Sequence, residues 1–114
     1  MPFINSKVTV ALSKENKETL KTEYAKIIAE ITGKPEQWLM VGFEDNCDLY
    51  FAGTNDKPAA YLEFKLLGTL TGEKAEKLTA AFCSLVEAEL KIPSDRIYVK
   101  YEEVEKWGWN KVNF

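Results

Sequence analysis

The chain contains no histidine, and that absence removes more chemistry than any residue present adds. Ser-His and Cys-His nucleophilic systems are excluded, as are imidazole bases and histidine-bound metals. Cysteine is scarce too: Cys47 and Cys83 are too few and too far apart to hold zinc without histidine. A disulfide between them is not expected in a reducing compartment. Cys83 lies in a helical pattern and reads as a small core residue. No run of about 18 apolar residues occurs, so no membrane-spanning helix is expected. The first residues lack the basic-then-apolar order of a secretion signal, which makes the cytoplasm the expected location. Excess charge of one sign is missing as well. The 15 basic and 18 acidic side chains are interspersed, with a net charge of -3. Without a basic block there is no phosphate affinity, so neither nucleic acid nor a membrane surface is an expected partner. Carboxylates, lysines, tyrosines and the amino terminus remain for proton transfer.

Pro2 stands directly behind Met1. A small second residue favours removal of the methionine, which would expose a secondary amine at the N-terminus. An α-amino group titrates near pH ~8, and burial in an apolar pocket lowers that value towards neutrality. Such an amine is a candidate general base. With Met1 in place, Pro2 is an internal amide with no basic nitrogen.

The 114 residues suit one domain, 1–114, built from two similar halves, about 1–57 and 58–114. From Phe3 to Leu12, the residues Ile4, Val8, Val10 and Leu12 alternate with Asn5, Lys7 and Thr9, a half-buried strand. Ser13 is positioned to cap a helix whose apolar stripe is Leu20, Tyr24, Ile27, Ile28 and Ile31. Gly33 and Pro35 end that helix near Thr32. Strands are expected over Trp38–Glu44 and over Leu49–Phe51, the latter before a turn-rich stretch from Gly53 to Pro58. The pattern then repeats. Ala60, Leu62, Phe64 and Leu66 form a strand that stops at Gly68. Thr71 caps a helix carrying Leu78, Phe82, Leu85 and Leu90, and Arg96–Val104 is the next strand. The tail around Trp107 and Trp109 is short and aromatic. Two βαβ units side by side predict an α/β (α+β) fold, a four-stranded mixed sheet with both helices on one face. Met40, Tyr61, Tyr98 and Tyr101 are too large and apolar to leave wet on the other face, so self-association is expected.

Six segments in order, Met1-Pro2, Thr32–Pro35, Phe51–Gly53, Leu67-Gly68, Ser94–Val99 and Trp109-Asn110, resemble the macrophage migration inhibitory factor family, in its microbial and plant branches. That family lies in the tautomerase superfamily, and the resemblance runs nearly end to end. It implies a homotrimer whose sheets surround a central channel. It also implies a keto–enol tautomerase needing no cofactor, acting on small aromatic 2-keto acids such as phenylpyruvate or on dopachrome derivatives. In that scheme Pro2 is the base and Lys34 binds the substrate carboxylate. The backbone N–H of Leu67 holds a substrate oxygen, and Tyr98 arrives from a neighbouring subunit. Trp38, Trp109 and Phe114 line the pocket mouth. Trp107, at the rim, is expected to narrow it.

Three departures accompany the resemblance. Ala59 and Leu62 stand where vertebrate members carry a Cys-X-X-Cys pair, so thiol–disulfide chemistry is not expected. Lys100 replaces an asparagine beside the pocket tyrosine and adds a second cation for carboxylates. Ala52 replaces a glycine after Phe51, which is expected to alter the turn. The alternative to catalysis is a cytokine-like protein that engages a host receptor and leaves the cell by a non-classical route.

Overall fold

The computed structural model describes residues 1–114. Each half of the chain forms a strand, a 19-residue helix and a returning strand parallel to the first. The first half comprises β1 (Pro2–Val8), α1 (Lys14–Thr32) and β2 (Met40–Glu44). The second comprises β3 (Ala60–Leu67), α2 (Gly72–Leu90) and β4 (Ile97–Val104), followed by a small hairpin of β5 (Gly108–Trp109) and β6 (Val112–Asn113). The sheet order is β2-β1-β3-β4, with β1 and β3 antiparallel at its centre.

Period-two patterning sets the layers. Ile4 and Val8 on β1 and Leu62, Phe64 and Leu66 on β3 are fully buried beneath the helices. Leu20, Tyr24 and Ile28 of α1 and Leu78, Phe82 and Val86 of α2 come down onto them. The Phe82 ring meets Tyr24 edge-on at 5.4 Å and Phe64 at 5.9 Å, so one aromatic ties both helices to the sheet. Burial of each large side chain is worth about 1.5–3 kcal/mol. Both helices start on side-chain caps. Ser13 and Asn16 each accept the other's backbone N–H at 3.0 Å, and Thr71 accepts from the Lys74 amide at 3.2 Å.

The structure shortens several expected strands. β1 stops at Val8 because the Thr9 amide donates to the Ala59 carbonyl and the loop at Asn46 and Cys47 takes over the carbonyls of Val10 and Val8. Trp38 lies in a single 3₁₀ turn, Glu36–Trp38, set up by Pro35, so β2 begins at Met40. Leu49–Phe51 is not a strand; only Phe51 bridges, to Thr54. Arg96 belongs to a 3₁₀ turn before β4. Ala52 adopts a left-handed conformation (φ 52), followed by Gly53 (φ 83), which costs an alanine about 1–2 kcal/mol. Tyr101 points towards the helices, donating to the Ala75 carbonyl at 3.0 Å and bonded to Thr79 at 2.7 Å. It does not belong to the open face.

That open face carries Asn5, Lys7, Glu63 and Lys65 at its centre, with Glu63 lying 3.6 Å from Lys7. Met40 (68% exposed) and Tyr98 (61%) are its most exposed large apolar residues, beside the half-buried Phe3 and Tyr61.

Ser6 is fully buried on β1, its hydroxyl 2.8 Å from that of Tyr24. A buried hydroxyl left without its partner costs about 1–3 kcal/mol. Tyr24→Phe should therefore destabilise by that amount in urea unfolding, and adding Ser6→Ala should recover part of the loss.

Candidate active site

The end of α1 builds one wall of the site. Gly33, left-handed at φ 77, donates to the Ala29 carbonyl and turns the chain out of the helix. Thr32 Oγ1 then accepts the Lys34 amide at 3.2 Å, which fixes the direction in which the lysine leaves. Lys34 Nζ lies 3.5 Å from the Leu67 carbonyl, at the end of β3. Leu67 in turn donates its amide to the Met1 carbonyl at 3.2 Å. Pro2, buried at the start of β1, pairs with Leu66. Thus Pro2, Lys34 and Leu67 meet at one end of the central strand pair.

The second wall is aromatic. Asn110 (φ 51) and Lys111 (φ 70) make the two-residue turn of the β5–β6 hairpin, both left-handed as such a tight reversal requires. The Phe114 amide donates to the Trp107 carbonyl at 3.0 Å and clamps the end of the chain. Trp109 meets Trp38 edge-on at 5.1 Å, and Phe114 stacks on Trp109 at 5.9 Å. A cavity of about 390 Å³ opens between these rings and the start of β1, lined by Met1, Pro2, Phe3, Trp38, Met40, Trp107 and Trp109 among others. Phe3 and Met40 were not among the residues expected from sequence; they face each other across the parallel pair β1–β2. Gly42 makes room for Phe3, since a Cβ there would sit 3.3 Å from its ring and 2.9 Å from Asn5 Oδ1.

Electrostatics at this end of the sheet favour a neutral amine. The Met1 α-amine is held below its ordinary value, first by burial and then by the Lys34 charge. Three of the expected contacts are therefore already occupied by the first residue: the cavity, the Leu67 amide and the field of Lys34.

Comparison with known proteins assigns the family. The family model for macrophage migration inhibitory factor matches residues 1–113. The chain belongs to this family. The mouse macrophage migration inhibitory factor is 30% identical over 99 residues, covering 85% of each chain. The solved structure of MIF2 from Leishmania major superposes with a TM-score of 0.94 at 34% identity, covering 100% of this chain and 97% of that one. A homologue from Prochlorococcus marinus gives 0.90 at 32% identity, with 98% of both chains covered. The fold is therefore that of the tautomerase superfamily, to which macrophage migration inhibitory factors belong.

Five expected site residues do not line this cavity within one chain. Lys34, Leu67 and Phe114 lie beside it, next to Met1 or the Trp109 ring, whereas Tyr98 and Lys100 lie far from it. Tyr98 pairs with Tyr61, five residues along β3 from the partner of Pro2 and one strand further out. That separates their backbones by about 17 Å along the strands and about 10 Å across them. Tyr98 also lies on the open face, whereas Pro2 lies on the helix side. Lys100 pairs with Glu63 in register, about 10 Å along the strands from Pro2 and again two strands away. Its Nζ is 3.2 Å from Glu102, which raises its pKa.

All three tryptophans of the chain line this one cavity. With Met1 removed, titration with an aromatic carboxylate should change the intrinsic tryptophan emission. Lys34→Met should weaken that binding about tenfold, the value of one charge-assisted hydrogen bond.

Proposed function

We propose that the protein is a cofactor-independent keto–enol tautomerase acting on aromatic 2-keto acids of the phenylpyruvate and dopachrome type, with Pro2 as general base once Met1 is removed. The observation that carries this reading is the amine held below its ordinary value at Lys34. Pro2 is itself buried at the start of β1 and lines the same apolar cavity, so an amine there would be disfavoured as a cation in the same way. In the keto-to-enol direction the neutral Pro2 nitrogen takes a proton from the carbon beside the carbonyl. The electron pair of that C–H bond becomes the C=C bond, and the carbonyl oxygen gains the proton that Pro2 returns to it. The Leu67 amide, freed from the Met1 carbonyl, donates to that oxygen, and Lys34 pairs with the carboxylate. Trp38, Trp107, Trp109 and Phe114 stack on the aromatic ring and exclude water from the amine.

Tyr98 and Lys100 enter this scheme from a second copy of the chain. Both project from the same face of edge strand β4, too far from their own Pro2, and a homotrimer would present them to a neighbour's pocket. Lys100, in that setting, would leave Glu102 for a carboxylate of the substrate.

The test is a phenylpyruvate tautomerisation assay on protein with verified Met1 removal. Pro2→Gly and a form retaining Met1 should each lose about 10²–10⁴-fold in rate, the usual contribution of a positioned acid–base group. Equal rates in the three forms would refute the amine base and favour a signalling protein with an idle pocket. The rate should also rise with pH as the amine loses its proton. Because the Lys34 cation lowers the pKa of a neighbouring amine, Lys34→Met should move that rise to higher pH. Light scattering should give three times the chain mass.

A further inference from the structure

Arg96 is 9% exposed and forms no ion pair. A buried guanidinium without a carboxylate is unusual, because the charge must be compensated in another way. Here the compensation comes entirely from one loop. Arg96 Nε donates to the Pro58 carbonyl at 2.9 Å and Nη1 to that of Phe51 at 3.3 Å. Nη2 donates to the carbonyls of Thr54 at 3.3 Å and Lys57 at 3.2 Å. The planar fork spans acceptors that a lysine could not reach together.

The loop held in this way contains the tight turn at Ala52 and Gly53. Phe51 and Thr54 bond each other in both directions, at 2.9 and 3.1 Å. Left-handed Ala52 is strained in that turn, and strain of this kind persists only where the surroundings over-determine it. The ring of Phe51 is what the turn presents. It lies 5.4 Å from the Arg96 guanidinium carbon and meets the Tyr98 ring edge-on at 5.1 Å. Tyr98 is 61% exposed on an edge strand, and its hydroxyl makes no hydrogen bond within the chain. A side chain so placed has two common orientations available to it.

We propose that Arg96 and Phe51 are positioning residues, which hold Tyr98 in the single orientation that a neighbouring pocket requires. The inference rests on the role proposed above for Tyr98. Arg96 anchors the turn, the turn fixes the Phe51 ring, and that ring selects one orientation of the tyrosine before a second subunit or a substrate arrives. The benefit appears in binding, because the ordering of Tyr98 is completed in the free protein.

A double-mutant cycle on Met1-free protein tests this. Phe51→Leu keeps an apolar side chain and removes the ring, and Tyr98→Ala removes the residue acted upon. Phe51→Leu should raise KM for phenylpyruvate about three- to tenfold with kcat little changed, and Phe51→Tyr should restore the wild-type value. Combined with Tyr98→Ala, Phe51→Leu should add nothing further. Arg96→Lys reads the same cycle, so a poorly folded Phe51→Leu would not leave the question open. If Tyr98→Ala is clearly impaired but the two effects multiply, the positioning role is overturned and the role of Tyr98 stands. If Tyr98→Ala is unimpaired while Pro2→Gly is inactive, Tyr98 has no part in the site and the inference falls with it.

Discussion

The antiparallel pairing of β1 with β3 is the constraint on which the rest of the molecule depends. It joins the two βαβ halves, and its register runs from Pro2 opposite Leu66 to Val8 opposite Ala60. A slip of one residue would send Ile4, Ser6 and Val8 to the wet face and bring Asn5 and Lys7 beneath the helices. The same register brings Pro2 to the residue before Leu67, and hence to the amide and the carbonyl around which Met1 and Lys34 gather. Core and site are therefore two ends of one ladder. Stability holds the strands in place, and the chemistry occupies the position where the ladder stops.

The sheet is covered on one side only, and that asymmetry gives its two faces different roles. On one side Tyr24 and Phe82 of the helices pack edge-on with each other and with Phe64 of β3, and no buried side-chain polar atom is left unpaired. The other side is charged at its centre and apolar at the Met40 and Tyr98 positions. Tyr98 and Lys100, on the β4 edge, lie too far from the chain's own cavity to serve it, which is why the proposed site requires more than one copy. The Arg96 anchor fits the same logic: it stabilises a surface that only an assembly would use.

Much of the fold is legible in the sequence because burial imposes a period. The alternation of Ala60, Leu62, Phe64 and Leu66 and the stripe of Leu20, Tyr24 and Ile28 appear in the structure on the faces expected of them. Ser13, Thr71 and Gly33 mark helix ends because their local hydrogen bonding and backbone freedom do not depend on distant contacts. Strand ends were less accessible. Trp38 suits a strand by type, yet Pro35 sets a 3₁₀ turn first; Thr9 continues the alternation, yet its amide is taken by Ala59. Tyr101 looked like an open-face residue until its hydroxyl found Thr79 and Ala75 across the core. The hairpin at the chain end was invisible for a similar reason, since Asn110 and Lys111 are not glycines and show their left-handed turn only in the folded chain.

By itself, the sequence determined the chemistry available: no imidazole, a proline at position two, a lysine just beyond a helix end, and three tryptophans. It also determined the two-layer architecture, because apolar periodicity is local and survives any arrangement of the elements. The tertiary structure alone decided which of these groups meet. Pro2, Lys34, Leu67 and the tryptophans come together through strand register and a hairpin clamp, while Tyr98 and Lys100 are carried away from them on the outer strand. Proximity of this kind depends on pairings between residues far apart in the chain, and no local pattern encodes it.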